Sequence, residues 1–201
     1  MPLIIEAPKP VGPDRLRLPL AFDPERLSAD LDALEESDWV EHPARQNYEG
    51  AWSAVPLRAP AGETHPIRLI FADPTAAAFV DTPWLDRLPY IKQVVRAFRC
   101  PLKTARLMRL APGSRIKEHC DPGLDAKTGE ARLHVPLRTS AEAEFRVNGT
   151  RVEMKAGSVW YLRLVDPHSA FNGGREPRIN LVIDAVVNPW LERMLSEASA
   201  G

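Results

Sequence analysis

The chain has 201 residues, 44% of them hydrophobic and 26% charged, and its 26 basic and 27 acidic side chains leave a formal net charge of -1. That balance gives no sign of a nucleic-acid or membrane-surface partner, and no window approaches the roughly 18 apolar residues of a membrane span. The length suits a single domain covering 1–201. Cys100 and Cys120 lack paired short spacing and read as reduced thiols. The segment Met1 to Pro13 has no basic stretch leading into an apolar run, so a cytoplasmic location is expected.

Twenty prolines, many of them in the first half (Ala7-Pro8-Lys9-Pro10, Ala59-Pro60), argue against central strands there, because proline cannot donate to a ladder. Residues 1–103 are therefore expected to be helical and irregular. A helix is predicted over Pro24 to Ser37, with Asp23 as N-cap, Pro24 at the first position, and Leu27, Leu31 and Leu34 on one face. A second is predicted over Thr82 to Phe98, with Leu85, Leu88, Ile91, Val94 and Val95 among its apolar residues. Pro89 should kink or interrupt it near Leu88.

From Thr104 the pattern changes to short strands and turns. Arg106 to Leu110 precedes the turn Ala111-Pro-Gly-Ser114, and Ala131 to Leu137 follows. Glu144 to Val147 and Arg151 to Met154 flank Asn148-Gly149-Thr150, a hairpin signal because Asn-Gly tolerates positive φ. Ser158 to Leu164 and the apolar Arg178 to Val187 complete the set. Turns every eight to twelve residues suggest an antiparallel sandwich or barrel. A mainly β jelly roll over 104–190, with N-terminal helices on one face, is the expected fold, although periodicity alone does not separate it from another β-sandwich.

His119 and Asp121 are two apart, and in an extended chain such side chains project to one side. His168 is the available third ligand. Two imidazoles and a carboxylate on one face of an ion leave positions open for co-substrate and dioxygen, which suits ferrous oxygenases. A His-x-Asp pair alone is weak, since most are solvated loop residues. Arg178, at the mouth of a buried strand, must find an anion or reach solvent. A dicarboxylate would satisfy it bidentately, and so would an internal salt bridge. Arg132 and His134 form a further i, i+2 pair opposite Leu133, Val135 and Leu137. They point either together toward the site or into water from an edge strand.

In this order and spacing, the segments Leu110-Ala-Pro-Gly-Ser-Arg-Ile-Lys-Glu-His-Cys-Asp121, Arg132-Leu-His134, Ala156-Gly-Ser158, Asp166-Pro-His168, Arg178 and Asp184 to Trp190 resemble the aspartyl/asparaginyl β-hydroxylase family of 2-oxoglutarate-dependent dioxygenases. Tyr48-Glu-Gly-Ala-Trp52 is similar to a substrate-side stretch upstream of that family's barrel. The resemblance implies a double-stranded β-helix in which His119 and His168 bind Fe(II). It implies Arg178 on the distal carboxylate of 2-oxoglutarate, with Arg132 and His134 lining the co-substrate pocket. Two features depart from the vertebrate members: Asp121 stands where they have glycine, completing a triad as in many bacterial relatives, and Met108 stands where they have serine.

The expected activity is therefore Fe(II)- and 2-oxoglutarate-dependent hydroxylation, with dioxygen, of a free amino acid or of an Asp/Asn-type residue in a peptide. The alternative is a non-oxidative, cupin-like metal-dependent enzyme or a small-molecule binding module. Trp52, Tyr48, Arg58 and Arg115 are candidates for a substrate cleft, and Cys120 is expected to point away from the metal.

Overall fold

The computed structural model describes residues 12–71, 73 and 75–200. Ala7 to Pro10 and most of the Met1 to Pro13 segment lie outside the described residues. In chain order, β1 (Arg15–Ala21) and α1 (Pro24–Asp30) precede β2 (Val40–Glu41), β3 (Tyr48–Glu49) and β4 (Trp52–Pro60). Next come α2 (Pro66–Leu69), β5 (Phe79–Asp81), α3 (Pro83–Asp86) and α4 (Pro89–Ala97). The second half holds β6 (Leu102–Leu110), β7 (Arg115–His119), β8 (Glu130–Arg138), β9 (Ala143–Val147), β10 (Thr150–Arg151), β11 (Ser158–Leu162), β12 (His168–Asn172) and β13 (Arg178–Val186). Helix α5 (Pro189–Ala200) follows.

The strands form two antiparallel sheets. The larger runs β1-β11-β8-β13-β6-β4-β2 with β5 on β4, and the smaller runs β10-β9-β12-β7-β3. This is the expected mainly β, double-stranded β-helix architecture. Alternation along the strands gives the large sheet two different faces. Leu107, Leu133, Val135, Leu181 and Ile183 pack with Leu27, Leu85, Leu88, Ile91 and Leu191 from the helices. A second apolar cluster, including Leu110, Phe145, Val147, Leu162 and Leu164, draws on both sheets.

The helices match the sequence reading at their starts better than at their ends. Asp23 caps α1, its Oδ1 accepting from Glu25 N at 2.9 Å and Arg26 N at 3.2 Å. The helix predicted to Ser37 stops at Asp30, which turns its carboxylate to the amides of Tyr90 and Ile91 at the start of α4, each at 2.8 Å. Two 3-10 turns, Leu31–Ala33 and Glu36–Asp38, replace the rest. The Thr82 to Phe98 helix is interrupted at Leu88, with Pro89 opening α4, because proline lacks an N–H and drives its predecessor out of the helical region.

The expectation that the first 103 residues lack sheet structure does not hold, since β1 and β4 belong to the large sheet. The prolines inside its strands sit at irregularities. Pairing slips between Leu18 and Ala21, around Pro19, and between Pro56 and Arg58. The β13–β8 register also shifts where Ile179 and Asn180 face Arg138 and Pro136. A bulge removes the ladder bond proline cannot make. The hairpin forms as expected, Asn148 (φ 50°) and Gly149 (φ 71°) joining β9 to a β10 shorter than the predicted strand.

Candidate metal and co-substrate site

His119 ends β7 and His168 begins β12, and the two are direct cross-strand partners. The pairing brings their rings to 4.2 Å between centroids. Asp121 lies just past β7, where its amide donates to Leu164 O at 2.7 Å and turns the chain back over the site. Ligand atoms of His119, Asp121 and His168 all lie within 4.8 Å of one another. The closest approaches are His119 Nε2 to Asp121 Oδ1 at 3.6 Å and His168 Nε2 to Asp121 Oδ2 at 3.9 Å. Cys120, between them in sequence, is exposed.

Both imidazoles are oriented for ligation. His119 Nδ1 is 2.8 Å from Lys117 O and His168 Nδ1 is 3.0 Å from Asp166 O. A carbonyl only accepts, so each Nδ1 carries the proton and each Nε2 presents a lone pair toward Asp121. Burial lowers the pKa of His168 and favours this neutral form. The turn before His168 is braced by the buried Arg163–Asp166 ion pair at 2.8 Å and by Asn148, which donates to Asp166 at 2.8 Å.

The cluster opens into a cavity of about 680 Å³ lined by residues of both sheets. On β8, Arg132 and His134 face it, and on β13 Arg178, Asn180 and Val182 do. Of the two orientations the sequence left open for Arg132 and His134, the structure takes the inward one. His134 is buried with neither ring nitrogen hydrogen-bonded. Burial, with Arg132 and Arg178 nearby, holds its pKa well below the ordinary value. It is a neutral donor and acceptor without a partner among the described residues.

Arg178 is also buried, and no carboxylate pairs with it among the described residues. Turned so that its oxygen faces the guanidinium, the Asn180 amide accepts from Nη1 at 3.2 Å and Nη2 at 2.7 Å. Phe145 lies 5.7 Å from the guanidinium carbon. Burial pushes the Arg178 pKa down to about 10. Among the described residues, the internal salt bridge that was the alternative for Arg178 is not formed.

Arg132, expected on the co-substrate, is engaged elsewhere. It donates from Nη1 to Asp121 Oδ2 at 2.5 Å and from Nε to Asp184 Oδ1 at 2.6 Å. Asp184 also takes Arg106 Nη2 at 2.6 Å and Thr104 Oγ1 at 2.7 Å. Burial raises its pKa, but the two guanidiniums outweigh that and hold the carboxyl below the usual range.

Of the proposed cleft residues, Trp52 lines the cavity and Tyr48, Arg58 and Arg115 do not. Tyr48 is buried with its hydroxyl on His42 O at 2.9 Å, Arg58 pairs with Asp81 at 2.7 Å, and Arg115 lies over Phe171. Met108 is on the cavity wall. Sequence reasoning gave His42 no role, yet its ring stacks on Trp52 with centroids 3.6 Å apart and lines the cavity. Burial first, then Arg106, lowers its pKa to about 4. The signal that could have found it was its place shortly before the aromatic pair Tyr48 and Trp52.

The donor set suits a divalent transition ion with open positions. Arg178, with no carboxylate partner among the described residues, and the unbonded His134 suit a small dicarboxylate beside it.

Among solved structures, a non-heme monooxygenase, the ThoJ–nickel complex, matches with a TM-score of 0.50 and 20% identity, over 87% of this chain and 74% of that one. AviO1 from Streptomyces viridochromogenes Tue57 matches with a TM-score of 0.51 and 15% identity, over 88% and 92%. These likenesses concern the fold. In sequence, the chain is 29% identical over 177 residues to an L-proline cis-4-hydroxylase of Rhizobium meliloti (strain 1021), covering 87% of this chain and 61% of that one. It is 26% identical to L-proline cis-3-hydroxylase 1 of a Streptomyces species, over 82% of this chain and 57% of that one. The chain thus spans somewhat over half the length of these relatives. The family model for aspartyl/asparaginyl beta-hydroxylase matches residues 23–188, and the chain belongs to that family.

Proposed function

We propose that the chain is an Fe(II)- and 2-oxoglutarate-dependent hydroxylase of a free amino acid. Arg178 carries this reading: it is a buried guanidinium without an anion among the described residues, lining the same cavity as the His119, Asp121 and His168 cluster. A non-oxidative metal enzyme or a binding module would need such a residue only for an anionic ligand. A dicarboxylate co-substrate supplies that anion.

Iron would be held by Nε2 of His119, a carboxylate oxygen of Asp121 and Nε2 of His168. Arg178 would take the far carboxylate of 2-oxoglutarate in a bidentate pair, and the unpartnered nitrogens of His134 supply further hydrogen bonds. With both bound, the centre supplies oxidative decarboxylation: 2-oxoglutarate, dioxygen and a C–H bond become succinate, carbon dioxide and a C–OH bond. The residues of this chain orient rather than react. Arg178 fixes the direction of the co-substrate, and Met108 offers an apolar wall. The stacked pair of His42 and Trp52 forms a flat surface against which a small substrate packs.

The relatives named for L-proline hydroxylation make proline the first substrate to try. Succinate formation in air, with Fe(II), 2-oxoglutarate and a panel of free amino acids and short Asp- or Asn-containing peptides, tests the reading. We expect coupled turnover with a free amino acid, and loss of at least about thirtyfold in apparent 2-oxoglutarate affinity for Arg178→Met. Turnover of peptides alone would move the substrate to the peptide class. No succinate above background with any panel member would refute the oxygenase reading.

A further inference from the structure

We propose that Asp184 is a positioning residue for the carboxylate of Asp121, acting through Arg132; the inference rests on the reading of His119, Asp121 and His168 as a metal triad. Asp184 is 1% exposed, an acid in the otherwise apolar second half of β13. Its Oδ1 takes Arg132 Nε at 2.6 Å, and its Oδ2 takes Arg132 Nη2 at 3.1 Å. This two-point grip fixes the plane of the guanidinium. The remaining arm, Nη1, reaches Asp121 Oδ2 at 2.5 Å.

Asp121 needs such a grip. It sits past the end of β7, and its side chain is 30% exposed, against 5% for His168. A strand pairing and a backbone carbonyl set each imidazole, whereas Arg132 sets the carboxylate. With Oδ2 held, Oδ1 is the oxygen turned to His119 Nε2, 3.6 Å away. Partners of this kind orient ligands without touching the ion.

The charge on Asp184 matters as well as its shape. Arg106 and Arg132 are both held by this one carboxylate, and Arg106 is itself buried, with Nη1 on Ile70 O at 2.7 Å. An amide at position 184 has one acceptor oxygen and no charge to set between two guanidiniums. Arg132 would then lose its anchor.

Cobalt(II) binding to metal-free protein, followed by anaerobic calorimetry, tests this through a double-mutant cycle. We expect Asp184→Asn to weaken cobalt binding by about 10–100-fold in the native background. With Asp121→Ala already present, the same change should cost less than about twofold. Equal losses in both backgrounds, or no loss in the first, would overturn the inference. If Asp184→Asn does not fold, Arg132→Gln in the same two backgrounds decides it by the same criteria. Native protein that binds no cobalt would refute the triad reading instead, which separates the two failures.

Discussion

Arg178 holds a buried positive charge whose protein partner is the neutral Asn180 amide, an arrangement that costs the ligand-free fold stability. Replacing it by methionine should therefore stabilise the ligand-free protein by on the order of 1–4 kcal/mol and raise its melting temperature. The same change should abolish the stabilisation that 2-oxoglutarate and metal give together. Calorimetry with and without ligands checks both, and a lowered melting temperature without ligand would mean that Arg178 is a structural anchor. Asp121→Ala should weaken iron binding at least about tenfold, measured by anaerobic titration. The residues of the candidate metal cluster were legible because i, i+2 spacing and a third histidine suffice to nominate them. The role of Arg132 was not, since one strand's sequence does not show that Asp184 lies across the ladder from it. The signal was an acid inside an apolar strand, which requires a cationic partner.

At the scale of elements, alternation in β8 and β13 separates the cavity face from the core face. Leu133, Leu181 and Ile183 serve the helix-side core while Arg132, His134 and Arg178 serve the cavity. Leu133→Ala should cost about 2–5 kcal/mol in chemical denaturation and leave the 2-oxoglutarate affinity of the folded fraction unchanged; a large affinity loss would mean the two faces are not separable. The second-half strands and the Asn148-Gly149 turn were readable from alternation and turn chemistry. The strands of the first half were missed because proline was read as excluding them. Pro19, Pro56 and Pro136 instead mark register shifts, and a bulge cannot be told from a break without its partner strand. The end of α1 was missed for a similar reason, since Asp30 caps a helix some 60 residues away in sequence.

In the whole molecule, three imidazoles are kept neutral by burial: His42 with its pKa lowered to about 4, His134 well below the ordinary value, and His168 lowered. Unfolded, each titrates near about 6.5. Below that pH the unfolded chain binds more protons, so stability is complete above about 6.5 and is lost as pH falls toward 4, with about 3 kcal/mol from His42 alone. Asp184 acts in a lower window, because its depressed pKa gives stability that is lost only as pH falls below the carboxylate range. Melting curves of chelated protein from pH 8 to 4.5 should fall through this range, and a flat profile would contradict the burial of these rings. A 2-oxoglutarate site beside a His-Asp-His metal centre has a spectroscopic signature, recorded in the visible after adding Fe(II) and 2-oxoglutarate to the protein without oxygen. We expect the metal-to-ligand charge-transfer band of the chelate, requiring at least about tenfold more iron in Asp121→Ala and far more 2-oxoglutarate in Arg178→Met; no band at saturating iron and 2-oxoglutarate would rule out that site.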